Sequence, residues 1–153
     1  MITNSDIENI QSVWGEKIVR IGHYKDNKLE YENEAVKLLN ELYDFENGPV
    51  LFKPTKASKN QFRLNFDSAK SYFIGGNSQF SEDNGFALNP WVSVRFENSG
   101  VILNESHAFA MGNYFFKDES GIEVKVEYTF GYVRTSEGEL KIFLHHSSLP
   151  FSG

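Results

Sequence analysis

No cysteine occurs among the 153 residues, which removes disulfides, thiolate zinc sites and cysteine nucleophiles together. A chain without cysteine fits a reducing compartment. No stretch approaches the roughly 18 uninterrupted apolar residues of a membrane span, and Met1 to Asp6 lacks the basic and apolar regions of a secretion signal. A cytoplasmic protein with no membrane partner is the expectation. Positive charge is also short: 15 lysines and arginines stand against 21 acids, a net charge of −6. The basic residues are scattered, so no face is set to track phosphates, and nucleic acid is not an expected partner. A GxSxG elbow, a P-loop and a Rossmann fingerprint are all missing.

What is plentiful is aromatic side chains, 15% of the chain, many of them on segments that read as strands. Ser5 with Glu8 has the form of a capping box, and Ile7, Ile10, Trp14, Ile18 and Ile21 then recur at helical spacing. A second helical face carries Tyr31, Ala35, Leu38, Leu42 and Phe45, with Glu30, Glu34, Lys37 and Glu41 mostly opposite, and stops at Asn47-Gly48-Pro49. Val50 to Phe52 is a short extended run closed by Pro54, and Phe66 to Ile74 is a candidate third helix before Gly75-Gly76. Polar, turn-rich residues from Asn77 to Gly85 predict a mobile loop beside a cleft.

From Trp91 onward the period changes to two. Val92, Val94 and Phe96 alternate with polar neighbours, and a strand from about Ser106 to Phe116 is apolar or small on both faces. Ile122, Val124, Val126, Tyr128, Phe130 and Tyr132 share one face of the next strand, and Leu140, Ile142 and Leu144 define the inner face of the last. The reading is a single α+β domain over residues 1–153, helices at about 5–45 and sheet mainly over 91–148, with the helices packed on a strongly curved antiparallel sheet that encloses a conical pocket. A partly apolar second face predicts a homodimer through the outside of the sheet.

Polar chemistry concentrates in the ending Leu144-His145-His146-Ser147-Ser148-Leu149-Pro150. Strand neighbours point to opposite faces, so strict alternation from Leu140, Ile142 and Leu144 turns His146 and Ser148 inward and His145 and Ser147 outward. A bulge near the strand end exchanges the two pairs. A strand-end histidine among serines also reads as a satisfied structural group. A zinc site would need three of His23, His107, His145 and His146, which lie on different elements and faces. Elsewhere, Lys53-Pro54-Thr55 sets a hydroxyl at a rigid turn, and Tyr72 on the candidate third helix reads either as a ring entering the cone or as an ordinary half-buried aromatic.

Several blocks taken in order resemble the iota-class carbonic anhydrases, a family on the cone-shaped nuclear transport factor 2-like fold, related to the association domain of calcium/calmodulin-dependent protein kinase II. They run from about Gly48 to Phe151: Leu51-Phe52-Lys53-Pro54-Thr55-Lys56-Ala57, Ser71-Tyr72-Phe73, Gly85-Phe86-Ala87, Pro90-Trp91, Val94 to Asn98, Met111 to Phe116, Val126 to Tyr132 and the His-His-Ser-Ser-Leu-Pro ending. The N-terminal helices match in kind only. The resemblance implies reversible hydration of carbon dioxide to bicarbonate. It places Thr55, Tyr72, one of His145 or His146 and one of Ser147 or Ser148 around the substrate, with alternation favouring His146 and Ser148. Members of the family divide between metal-dependent and metal-free forms. The missing ligand cluster sets this chain with the forms that need no cofactor, zinc or manganese being the alternative.

Without a metal to lower the pKa of bound water from about 15.7 to about 7, water must lose a proton as it attacks. A histidine near its ordinary pKa of roughly 6.5 is then the expected base, with hydroxyl donors holding the carbonate oxygens. Two rivals stand beside this reading: a non-catalytic oligomerisation or small-ligand-binding domain of the same fold, and an isomerase or cyclase acting on a larger apolar substrate in a wide cone.

Overall fold

The computed structural model describes residues 1–153. Helix α1 (Asn4–His23) is capped by Thr3, two residues before the expected cap Ser5. The Thr3 hydroxyl accepts from the Asp6 N–H at 3.1 Å while the Asp6 carboxylate accepts from the Thr3 N–H at 2.9 Å. That reciprocal pair satisfies two of the orphan donors of a helix start, and Ser5 and Glu8 are left exposed on the first turns. The apolar stripe of α1 is buried from Ile7 to Ile21, each isoleucine stabilising the fold by about 1.5–3 kcal/mol. Helix α2 (Lys28–Leu42) is capped by Asn27 and buries Ala35, Leu38, Leu39 and Leu42. Glu34, expected on its polar face, is buried as well, because Arg20 of α1 reaches it at 2.9 Å and Lys37 at 3.7 Å. Helix α3 (Phe66–Ile74) follows its expected bounds.

Five strands form one sheet in the order β1-β5-β4-β3-β2: β1 (Leu51–Lys53), β2 (Trp91–Leu103), β3 (His107–Asp118), β4 (Glu123–Arg134) and β5 (Leu140–Ser148). The long strands are antiparallel, but β1 runs parallel to β5, with Lys53 beside His146. The inner face carries the core. Trp14 of α1 lies against Phe96, Tyr114, Phe116 and Phe130 with ring centroids 5.6–6.1 Å apart. This is the α+β cone expected from the sequence, and no helix is long and apolar enough to cross a membrane.

Three residues leave the faces that alternation gave them. Ile122 falls in the turn before β4, where its N–H bonds the Asp118 carboxylate at 3.0 Å, and it is exposed. Val92 is exposed because the β2–β3 register shifts between Trp91 and Ser93. Leu144 turns outward because the β4–β5 register shifts as well: Gly131 pairs with Leu144, but Tyr132 pairs with Ile142. Phe143 is the extra residue of a β-bulge, and beyond it the alternation of β5 is reversed.

The segment from Asn77 to Gly85 is pinned where a mobile loop was expected. Glu82 accepts the backbone N–H groups of Ser58, Lys59 and Asn60 at 2.8–3.2 Å, which holds its carboxyl down at about 2. Next to it the buried Arg63 guanidinium grips Asp83 through two bonds of 2.7 Å.

Candidate active site

The reversal of β5 decides which residues enter the cone. His145 and Ser147 are buried, while His146 is exposed and shares the outer face with Ser148, whose hydroxyl bonds Glu127 at 3.0 Å. The inward orientation expected for His146 and Ser148 is therefore corrected to His145 and Ser147, the pair that a bulge was expected to bring in. The signal for this bulge was Gly131. A glycine inside an otherwise well-formed strand marks a place where backbone or side chains approach closely.

His145 lies flat between two phenylalanine rings, Phe130 at 4.0 Å and Phe52 at 4.8 Å between centroids. Burial holds its pKa well below the usual 6.5, with a smaller contribution from His146, so the imidazole is neutral. Both ring nitrogens are engaged by the protein. Nδ1 meets the Tyr43 hydroxyl at 2.8 Å, and that hydroxyl accepts from Trp14 Nε1 at 3.0 Å. Nε2 stands 3.1 Å from both the Tyr114 hydroxyl and the Ser147 hydroxyl, which also bond each other. The role expected for a pocket histidine, a free base near its ordinary pKa, does not fit this ring.

A small cavity opens beside that triangle, lined by His145, Ser147, Tyr114, Thr55, Tyr72 and aromatic rings that include Phe52 and Phe86. Its volume is about 10 Å³, close to the least that holds one water molecule. Four separate parts of the chain supply its polar groups: the turn after β1 (Thr55), α3 (Tyr72), β3 (Tyr114) and β5 (His145, Ser147). Pro54 closes β1 and aims the next residue into the cone. Tyr72 accepts the Lys56 N–H at 3.2 Å, which leaves its own proton for the cavity side. Burial raises the phenols of Tyr72 and Tyr114, and the Thr55 hydroxyl offsets part of this in both. Lys53 Nζ donates to the Ser147 carbonyl at 2.9 Å and ties β1 to the strand end that carries the serine.

On the outer side of the cavity Tyr72 stacks on Phe86, 5.6 Å between centroids. The same two rings border a surface hollow of about 400 Å³ that reaches Lys56, Glu82 and Trp91. Thr55, Tyr72, His145 and Ser147, all read from the sequence, thus meet at one point. Tyr114 and Tyr43 complete the network and were not singled out. Tyr114 was legible only as a residue on one of two apolar faces of β3, and nothing local announces Tyr43, which caps α2. The chain's His, Asp and Glu side chains form no group of three or more placed to share a metal ion.

The fold defines a class. The chain superposes on a nuclear transport factor 2-like protein from Novosphingobium aromaticivorans (TM-score 0.62, 11% identity, covering 98% of this chain and 83% of that one). It also superposes on a calcium/calmodulin-dependent protein kinase II association domain from Xanthomonas campestris (TM-score 0.64, 20% identity, covering 100% and 91%). Within that class, residues 5–149 match the family of metal-independent carbonic anhydrases, and the chain belongs to it. It is 37% identical over 153 residues to the metal-independent carbonic anhydrase of Nostoc sp., an alignment covering 98% of this chain and 75% of that protein. It superposes with a TM-score of 0.96 and 36% identity on a cyanobacterial iota-carbonic anhydrase in complex with bicarbonate, covering 99% and 94% of the two chains.

Proposed function

We propose that this protein hydrates carbon dioxide to bicarbonate without a metal, in the cavity between Thr55, Tyr72, Tyr114, His145 and Ser147. The observation that carries this is the convergence of a neutral, fully engaged imidazole and four hydroxyls on a space about the size of one water molecule. Membership of the family and the bicarbonate bound to the cyanobacterial relative support it. The tight cavity disfavours the isomerase or cyclase reading.

The chemistry must avoid charge. Burial holds His145 unprotonated and keeps the phenols of Tyr72 and Tyr114 protonated, so no pocket group is suited to hold an ion while water attacks. A proton-neutral route follows. The water oxygen bonds to the carbon of carbon dioxide; one hydroxyl of the Tyr114–Ser147 pair accepts a water proton while passing its own to the other, which gives its proton to a carbon dioxide oxygen, so each hydroxyl ends with one proton. One C–O bond forms, one C=O π bond breaks, and the product is carbonic acid, which ionises on reaching solvent. The donors near Tyr114, Ser147 and Thr55 stabilise the charge that develops on the oxygen before the proton arrives, each worth about 3 kcal/mol where water is excluded.

The outer sheet face is where a second copy of the chain docks in this reading. Met111 is exposed there, Leu144 and Phe143 are half-exposed beside it, and the row Glu123, Lys125, Glu127 along β4 offers opposite charges that a two-fold axis can pair.

Stopped-flow hydration of carbon dioxide before and after exhaustive chelation, with metal content measured on the same samples, tests the reaction. Turnover that survives in metal-free protein is expected. Loss on chelation with recovery in zinc or manganese overturns the metal-free chemistry, and silence in every state leaves a non-catalytic domain.

A further inference from the structure

Counting protons around His145 goes beyond placing it in the pocket. Trp14 Nε1 can only donate, so at 3.0 Å its N–H occupies a lone pair of the Tyr43 oxygen. Tyr43 is buried and its only other partner is His145 Nδ1 at 2.8 Å. If Nδ1 carried the imidazole proton, it too would donate to Tyr43, and the phenol's own hydrogen would be buried with no acceptor. Such orphaned donors are rare in folded proteins. The structure assigns Tyr43, backed by Trp14, as a positioning residue that fixes His145 as the Nε2–H tautomer.

The tautomer decides what the cavity offers. Three protons then belong to the triangle: His145 Nε2–H, the Tyr114 hydroxyl and the Ser147 hydroxyl. Only two atoms within it can accept, the oxygens of Tyr114 and Ser147. Whichever way the bonds run, one hydroxyl hydrogen is left over, and the open side is the cavity where Thr55 stands. With the proton on Nδ1, Nε2 would be an acceptor, both hydroxyl hydrogens would be absorbed inside the triangle, and the cavity would face lone pairs. Tyr43 thus makes the pocket one that donates to an oxygen of carbon dioxide or bicarbonate. The catalytic meaning of this rests on the hydratase reading above; the tautomer itself does not.

The test is 15N NMR of histidine-labelled protein, with His145 identified as the signal lost in His145→Gln. A pyrrole-type Nε2 and a pyridine-type Nδ1 are expected in the native chain. Tyr43→Phe removes the donor to Nδ1, so it should admit the Nδ1–H form and lower kcat about tenfold, the worth of one net hydrogen bond, with KM little changed. Trp14→Phe keeps Tyr43 and should keep the tautomer. A native His145 protonated on Nδ1 overturns the proposal, as does a Tyr43→Phe protein with unaltered tautomer and kcat. The native spectrum decides even where the variants fold poorly. Because it needs no turnover, an Nε2–H ring in a protein without hydratase activity rejects the carbonic anhydrase reading and leaves the tautomer standing.

Discussion

Gly131 on β4 faces Phe143 on β5, and the ring of Phe143 occupies the space that a Cβ at position 131 would need: that atom would lie 3.1 Å from the ring and 2.9 Å from Leu144 Cβ. The contact lets β5 accommodate its extra residue, and everything beyond the bulge takes its orientation from it. Gly131→Ala should cost about 1–3 kcal/mol through overpacking and lower hydration along with stability. Thermal unfolding and stopped-flow hydration on the same preparation check this; native values for both would show that the bulge does not depend on the glycine.

The reversed register separates the paired histidines and serines by face, and the proposed function makes that a separation of roles. His145→Ala should reduce turnover about 100-fold or more, and Ser147→Ala by about 100-fold. His146→Ala and Ser148→Ala, on the outer face, should change it by no more than about twofold. Four single variants assayed side by side suffice. A large loss confined to His146 and Ser148 would refute the inward placement of the other pair as the working one.

Acidification should weaken the fold through His145. Its folded pKa lies below the unfolded value of about 6.5, so once the pH drops below 6.5 the unfolded chain binds a proton that the folded chain refuses. Stability contributed by the neutral ring is complete above that pH and falls away as the pH descends toward the folded pKa. Denaturant midpoints between pH 8 and pH 5, compared with those of His145→Gln, should show a slope in the native chain that the variant lacks. A second loss belongs to Glu82, between its usual range and about 2. Turnover itself should show no His145 titration at neutral pH.

Breaking the Arg63–Asp83 pair should be severe. Both side chains are buried, and Asp83 also accepts the Ser71 hydroxyl at 2.5 Å, one residue before Tyr72. Arg63→Met leaves an uncompensated buried carboxylate, a loss of about 3–5 kcal/mol. The Arg63→Met, Asp83→Asn double variant should recover part of it, and chemical denaturation measures both. Equal stabilities for the single and double variants would show that the charge is not what matters.

If the outer sheet face pairs two copies as proposed, Met111→Glu should shift the assembly toward monomer by placing two carboxylates at that contact while leaving the cavity, on the opposite face, intact. Light scattering reads the mass. A monomeric native chain would remove the contact from the reading.

Most of the architecture is legible in the sequence. The isoleucine stripe of α1 and the alternation of β4 each reflect one face meeting the core, and periodicity reports that directly. Alternation failed at Leu144 because a single inserted residue inverts every later side chain, and the only mark of the insertion is on the neighbouring strand, at Gly131. Thr55 and Tyr72 were joined to the histidines and serines only through the resemblance, since neither spacing nor composition connects a turn at residue 55 with a helix at 72. Tyr43 escaped for a related reason: its value lies in a contact with His145, 102 positions away, that no local pattern encodes. Glu34 and the Asn77–Gly85 segment were misjudged because polar residues read as solvated until their partners, Arg20 and the backbone at 58–60, come into view.

The two tryptophans of the chain stand on either side of the proposed reaction cavity. Trp14 presses its edge against His145 at 5.7 Å, and Trp91 borders the outer hollow with its indole N–H held by the Phe86 carbonyl at 2.9 Å. The protein therefore carries its own optical reporters. Emission from Trp14 should report the polarity of the inner cavity and emission from Trp91 that of the outer hollow, and a single tryptophan-to-phenylalanine change silences either one, so that occupation of the two spaces can be followed separately without attaching a dye.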